Sequence, residues 1–306
     1  RSFIQHNYAE TDQTTGRKFL LYENGTQSFF PERLPKTIRF TIDENDKDDP
    51  YGRLASPKIV RAIDRLNLPR YGLGNYVAAW DKMPTPPPQE EKRQIDGLSR
   101  AGKRLMGFCR TNLFKRLESG GPAFLLSLER HILRNFVFLH AIENDSPLPI
   151  GSQVAELLDA NTNDEDEGLL SSSLFDDDSR EADDDNNAAS TEALPATLRT
   201  AADYQQRAAE IYNIYRNGYR GRFKWIRPSL FMKKLADDLS ADNKALLKIL
   251  DDNGAWNIEK DAKFAALLTL LRTQHPNEKV LVFTQFADTV NFLLRELQAQ
   301  GITHLA

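Results

Sequence analysis

The residues best able to do chemistry in this sequence lie between Tyr212 and Arg227, "YNIYRNGYRGRFKWIR", where five basic side chains alternate with five aromatic ones and no acid intervenes. Guanidinium and ammonium groups neutralise phosphates and aromatic faces stack on bases, so Arg216, Arg220, Arg222, Lys224 and Arg227 are candidate nucleic-acid contacts. The same composition also fits a helix end whose Tyr and Trp enter the core while its Arg residues face water. A second basic set, Lys103, Arg104, Arg110, Lys115 and Arg116, lines one helical stretch. It offers either further phosphate contacts or a solvated face with Glu118 and Glu129.

Other motifs fail on their chemistry. "GLSRAGKR", Gly97 to Arg104, matches a phosphate-cradling P-loop until its last position, where Arg104 replaces the hydroxyl that would hold Mg²⁺. A P-loop also follows a buried strand, and "PPPQEEKRQID" supplies none. "DANTNDEDEG" has an EF-hand flavour, but Asp164 stands where the Ca²⁺ loop needs Gly. His6, His131, His140, His275 and His304 show no metal-ligand spacing, and no nucleophile–base pair can be drawn. Cys109 alone gives no disulfide framework or thiolate site, which fits a reducing, cytoplasmic setting.

These side chains must be positioned by a mainly helical chain. The 306 residues hold 40% hydrophobic and 27% charged side chains, an ordinary globular composition with room for two or three domains. No apolar run spans a bilayer, so no membrane partner is expected. Residues 159–190 carry twelve acids against Arg180; their net charge is −11, so the remainder carries +7 within a total of −4. Residues 157–195 therefore read as an acidic disordered loop. Upstream, "TIRFTID" alternates Ile38, Phe40 and Ile42 as a half-buried strand would. Ser56 and Pro57 open a helix that places Ile59, Ile63 and Leu66 on one face. A Pro-rich linker at 84–88 precedes a helical hairpin over 98–143, broken at "SGGP". Helices resume across 196–254, and Phe264, Leu267, Leu268 and Leu271 mark another. The run Val280–Phe283 is apolar at consecutive positions, as in a strand buried on both faces of a parallel sheet. A helix follows, with Gly301 as its stop. The other strands of such a sheet are expected beyond Ala306, and Arg1 is expected to continue an earlier segment.

"KDAKFAALLTLLRTQHPNEKVLVFTQFADTVNFLLRELQAQGI" resembles the opening of the second RecA-like lobe of Swi/Snf-type helicases of superfamily 2, where a strand ends in the fourth helicase motif. "FFPERLPKTIRFTID" is similar to the strand by which that family leaves its first lobe. "CRTNLFKRLESGGPAFLLSLERHI" resembles the helical insertion of its bacterial members. Together these cover about half the chain. The resemblance implies the end of a first lobe over 1–50, an insertion over 51–156 and 196–254, and a second lobe starting at 255–306. It implies ATP-driven translocation on double-stranded DNA for the parent protein, with ATP and Mg²⁺ held elsewhere, since Walker A, Walker B and the arginine-bearing motif are absent from this segment. The segment alone is expected to be inactive as an ATPase and to work with the remaining lobes of its parent. By the resemblance Lys263, Thr284 and Gln285 face DNA phosphates; otherwise Thr284 and Gln285 cap the following helix. A competing reading is a non-enzymatic helical adaptor for nucleic acid or protein.

Overall fold

The computed structural model describes residues 2–30, 36–43, 45–79, 83, 85–151, 198–253, 256–302 and 305. The acidic run lies outside them. The described chain forms two compact units, Arg1–Phe40 and Thr41–Ala306.

In the first unit a short helix, α1 (Ser2–Asn7), precedes a three-stranded antiparallel sheet of β1 (Glu10–Thr11), β2 (Lys18–Leu21) and β3 (Gln27–Phe29). Its turns need positive φ, and glycine supplies it at Gly16 (φ 68°) and Gly25 (φ 80°). Phe19 pairs with Phe29 in register, their rings 5.3 Å apart, which fixes β2 against β3. The strand expected at "TIRFTID" does not form. Residues 36–43 are irregular, and Ile38, Phe40 and Ile42 are 37–45% exposed; they join no ladder among the described residues.

The second unit is helical and small sheets are its only strands among the described residues, so the molecule is mainly α. After α2 (Pro50–Leu54), α3 (Pro57–Asp64) starts at the Ser56-Pro57 signal and buries Ile59 and Ile63. Leu68 then turns left-handed at φ 50°. Asp242 holds that turn, accepting the amides of Asn67 and Leu68 at 2.8 Å each and the Asn67 side-chain amide at 3.1 Å. Burial pushes Asp242's carboxyl above its ordinary range, with those amides pulling the other way.

Helix α4 (Gln89–Ser119) begins nine residues before the expected hairpin and carries Glu90 and Glu91 in its first turn, where the helix dipole favours acids. Gly97–Arg104 is helical backbone, its amides engaged along the helix axis, which excludes a phosphate cradle there. Only Gly120 separates α4 from α5 (Gly121–Glu143). Gly121 is required by packing: a Cβ there would lie 2.0 Å from the Trp256 ring. Helix α5 is buried on every side, with Phe124, Leu128, Ile132 and Val137 at 0% exposure. It packs against α4, α6 (Ala201–Gly218) and α7 (Lys234–Asn253) and so forms the axis of the core. β4 (Leu148–Ile150) pairs antiparallel with β5 (Lys224–Ile226) beside it.

The chain continues through α8 (Ala262–Thr269), a π-helical turn over Leu270–Gln274, and α9 (Ala287–Ala299), which stops at Gly301 (φ 79°). The strand expected over Val280–Phe283 does not form here. These residues join no ladder, and Leu281, Val282 and Phe283 are 69%, 50% and 89% exposed. An interior strand needs partners on both edges, and no parallel strand exists among the described residues.

Candidate nucleic-acid interface

Three stretches that lie far apart in sequence converge where α4 ends. Helix α4 leaves orphan carbonyls in its last turn. Lys263, in the first turn of α8, donates to two of them, Glu118 O at 2.6 Å and Ser119 O at 2.7 Å. A cation at a helix C-terminus also meets the negative end of its dipole. Burial pulls the Lys263 ammonium below its ordinary range, opposed by Asp261 and Glu118. Asp261 caps α8 by accepting the Phe264 amide at 2.8 Å and takes the Trp256 indole N–H at 3.0 Å. Burial pushes its carboxyl up. Trp256 in turn lies edge-on to Tyr51, 5.0 Å between centroids, and fills the space that Gly121 leaves.

Helix α9 docks on the same corner. Asp288, in its first turn, receives Arg130 in a two-point fork, both contacts 2.8 Å, and Arg116 at 2.8 Å. All three side chains are 3% exposed. Arg116 also lies over the Phe286 ring, 4.6 Å from its centroid. Beside this cluster the Ser119 hydroxyl sits 3.0 Å from that of Thr284 and 2.7 Å from that of Thr289.

These contacts frame a cleft of about 470 Å³. Lys115, Lys263, Thr284 and Gln285 line its polar side together with Glu118 and Ser119, and Phe264, Phe286 and Phe292 line its apolar side. Four sequence candidates are thus gathered at one place. Gln285 is exposed, and Thr284 reaches Ser119 rather than capping α9, whose N-cap is Phe286 with no side-chain cap. Arg116 departs from expectation: it is buried against Asp288, so it holds the junction instead of facing water. Lys263 likewise spends two donors on carbonyls.

Arg216, Arg220, Lys224 and Arg227 do not line the cleft; they sit around the end of α6 and β5. Arg216, Arg220 and Lys224 are exposed, while Arg227 forks onto Glu91 at 2.7 and 3.1 Å. The side chain of Arg222 lies outside those described. Three of the five interleaved aromatics are core, Tyr212, Tyr215 and Phe223 being at most 6% exposed; Tyr219 and Trp225 are half-buried against that core, and Trp225 donates to the Arg220 carbonyl at 2.9 Å. Most of the aromatic faces are therefore spent on packing, and the zone's outward character is mainly cationic.

Asp288, Arg130, Ser119 and Thr289 were not visible as site residues in the sequence. One signal was present: two glycines stand at a helix break where one suffices, which marks a close approach. No protein-family model, curated protein or solved structure matches the chain.

Proposed function

We propose that this chain is the central segment of an ATP-dependent Swi/Snf-type superfamily 2 DNA helicase or translocase, contributing DNA-backbone contacts and lobe geometry. The observation that carries the reading is the convergence at the α4 corner. The stretches read as helical insertion ("FKRLESG") and as second-lobe opening ("KDAKF" and "VFTQFADT") bond to one another through Lys263, Ser119, Thr284 and the Arg116–Asp288–Arg130 cluster. In this reading the exposed run Leu281–Phe283, which is no strand here, becomes one only when the rest of the second RecA-like lobe pairs its backbone and covers its side chains. Thr284 and Gln285 then sit at the carboxyl end of that strand, where open α/β sheets meet ligands. A hydroxyl and an amide there position the DNA backbone without reading sequence, and Lys115 at the cleft with Arg216, Arg220 and Lys224 adds charge.

Gly97–Arg104 is helical and so is not a phosphate cradle; in this reading ATP and Mg²⁺ are bound by other parts of the parent. The test is a purified chain titrated with duplex DNA at several salt concentrations, together with a phosphate-release assay. Log affinity falls linearly with log salt, with a slope of about −0.9 per phosphate contact, and DNA stimulates no phosphate release. Binding indifferent to salt contradicts the reading.

A further inference from the structure

We infer that Ser119 is a positioning residue for Thr284, polarising its hydroxyl toward a phosphate oxygen through a chain of three hydroxyls; the inference rests on the proposed contact between Thr284 and the DNA backbone. Ser119 Oγ stands between Thr289 Oγ1 at 2.7 Å and Thr284 Oγ1 at 3.0 Å. A serine hydroxyl has one proton and two lone pairs, so it can donate to only one threonine while accepting from the other. If Ser119 donates to Thr289, Thr284 donates inward and turns only lone pairs to the cleft, which repel an anion. If Thr289 donates to Ser119 and Ser119 to Thr284, the Thr284 proton is directed outward and can meet an anionic oxygen. An anion in the cleft selects the second order, and each bond in the chain strengthens the next.

The geometry that holds this chain is fixed from three sides. Lys263 grips the Ser119 carbonyl at 2.7 Å, and the Thr289 amide bonds to Phe286 O at 3.1 Å. Asp288, adjacent to Thr289, is clamped by Arg116 and Arg130. The helical hairpin thereby sets the donor direction at a residue that lies 165 positions away in the chain. This gives "FKRLESG" a physical role: its Arg seats α9, and its Ser orients the phosphate-facing hydroxyl.

The test is a double-mutant cycle on duplex binding with Ser119→Ala, Thr284→Ala and the pair, each checked for cooperative melting. Each single change weakens binding about five-fold, and the pair is no weaker than the worse single. The salt slope stays at the wild-type value in all three, because no charge is removed. Should Ser119→Ala lower the melting temperature, binding is compared well below the lowest melting temperature of the set, where every variant is folded. Additive losses, or wild-type affinity in the Ser119 variant while Thr284→Ala weakens binding, overturn the relay and leave the DNA reading standing. A wild-type chain that binds no duplex, or a Thr284→Ala variant that binds as wild type does, removes the proposed contact itself and the relay with it.

Discussion

Replacing Asp288 with Asn removes the carboxylate shared by the Arg116 and Arg130 guanidiniums while keeping its volume. At 3% exposure these cations have little access to solvent screening. Breaking a buried ion pair by removing one partner costs about 3–5 kcal/mol, because a desolvated charge is left behind. The asparagine amide group makes matters worse, since it points donors at a guanidinium. For a unit of this size about 1 kcal/mol shifts the melting temperature by roughly 2–4 °C, so a fall near 10 °C is expected. The order within the cluster is also set by geometry. Arg130→Met breaks a two-point fork, whereas Arg116→Met leaves that fork intact and costs less. Lys58–Asp252 is the contrast: with side chains 68% and 44% exposed, Lys58→Ala costs under about 1 kcal/mol. Urea unfolding followed by circular dichroism gives all four numbers. An Asp288→Asn cost below about 1 kcal/mol, or no larger than that of Lys58→Ala, refutes the claim that this cluster fastens α9 to the hairpin.

Gly121→Ala drives a methyl into Trp256, displacing the ring from Asp261 and Tyr51. It should cost at least about 1–3 kcal/mol and change the tryptophan emission, whereas Gly107→Ala, at an open helical site, should stabilise by about 0.5–1 kcal/mol. Equal effects at the two glycines would contradict the packing argument. Asp242→Asn leaves the Leu68 amide facing an NH₂ group and costs about 1–3 kcal/mol. Because burial raises the folded-state pKa of Asp242, its contribution is complete below its ordinary 3.8 and is lost as pH rises through the higher folded value. The stability difference between wild type and Asp242→Asn therefore narrows as pH rises above about 4. A difference that widens over that range would mean the amide bonds outweigh burial.

Local signals carried much of the helical scaffold. The Ser56-Pro57 start, the apolar stripe from Phe124 to Leu139 and the glycine break all depend on residues within one or two turns, and the structure follows them. Asn24-Gly25 between "KFLL" and "QSF" was an equally local hairpin signal, and β2–β3 realises it although the sequence reading did not single it out. Strand patterns without partners failed. Ile38–Ile42 and Val280–Phe283 carry the right side chains, but a strand is stable only when another strand meets its edges, and that information is not local. The corner was least legible. Arg116 lies in a basic run that reads as a wetted face, and only the approach of α9, 172 residues on, makes it a buried anchor. Thr284 and Gln285 were legible as a pair at a polar step after an apolar run; their neighbour Ser119 was not.

A DNA motor segment of the proposed kind lays its Thr284–Gln285 edge against the DNA backbone. Gln285 is exposed, and Cys109, the sole cysteine, is buried, so Gln285→Cys offers a single reactive thiol for an iron–EDTA tether. Incubated with duplex DNA and reductant at low salt, the tethered protein should cut the DNA backbone, and raising the salt should abolish cutting and binding together. A tethered protein that binds duplex in full and cuts nothing would place this edge away from DNA and contradict the account.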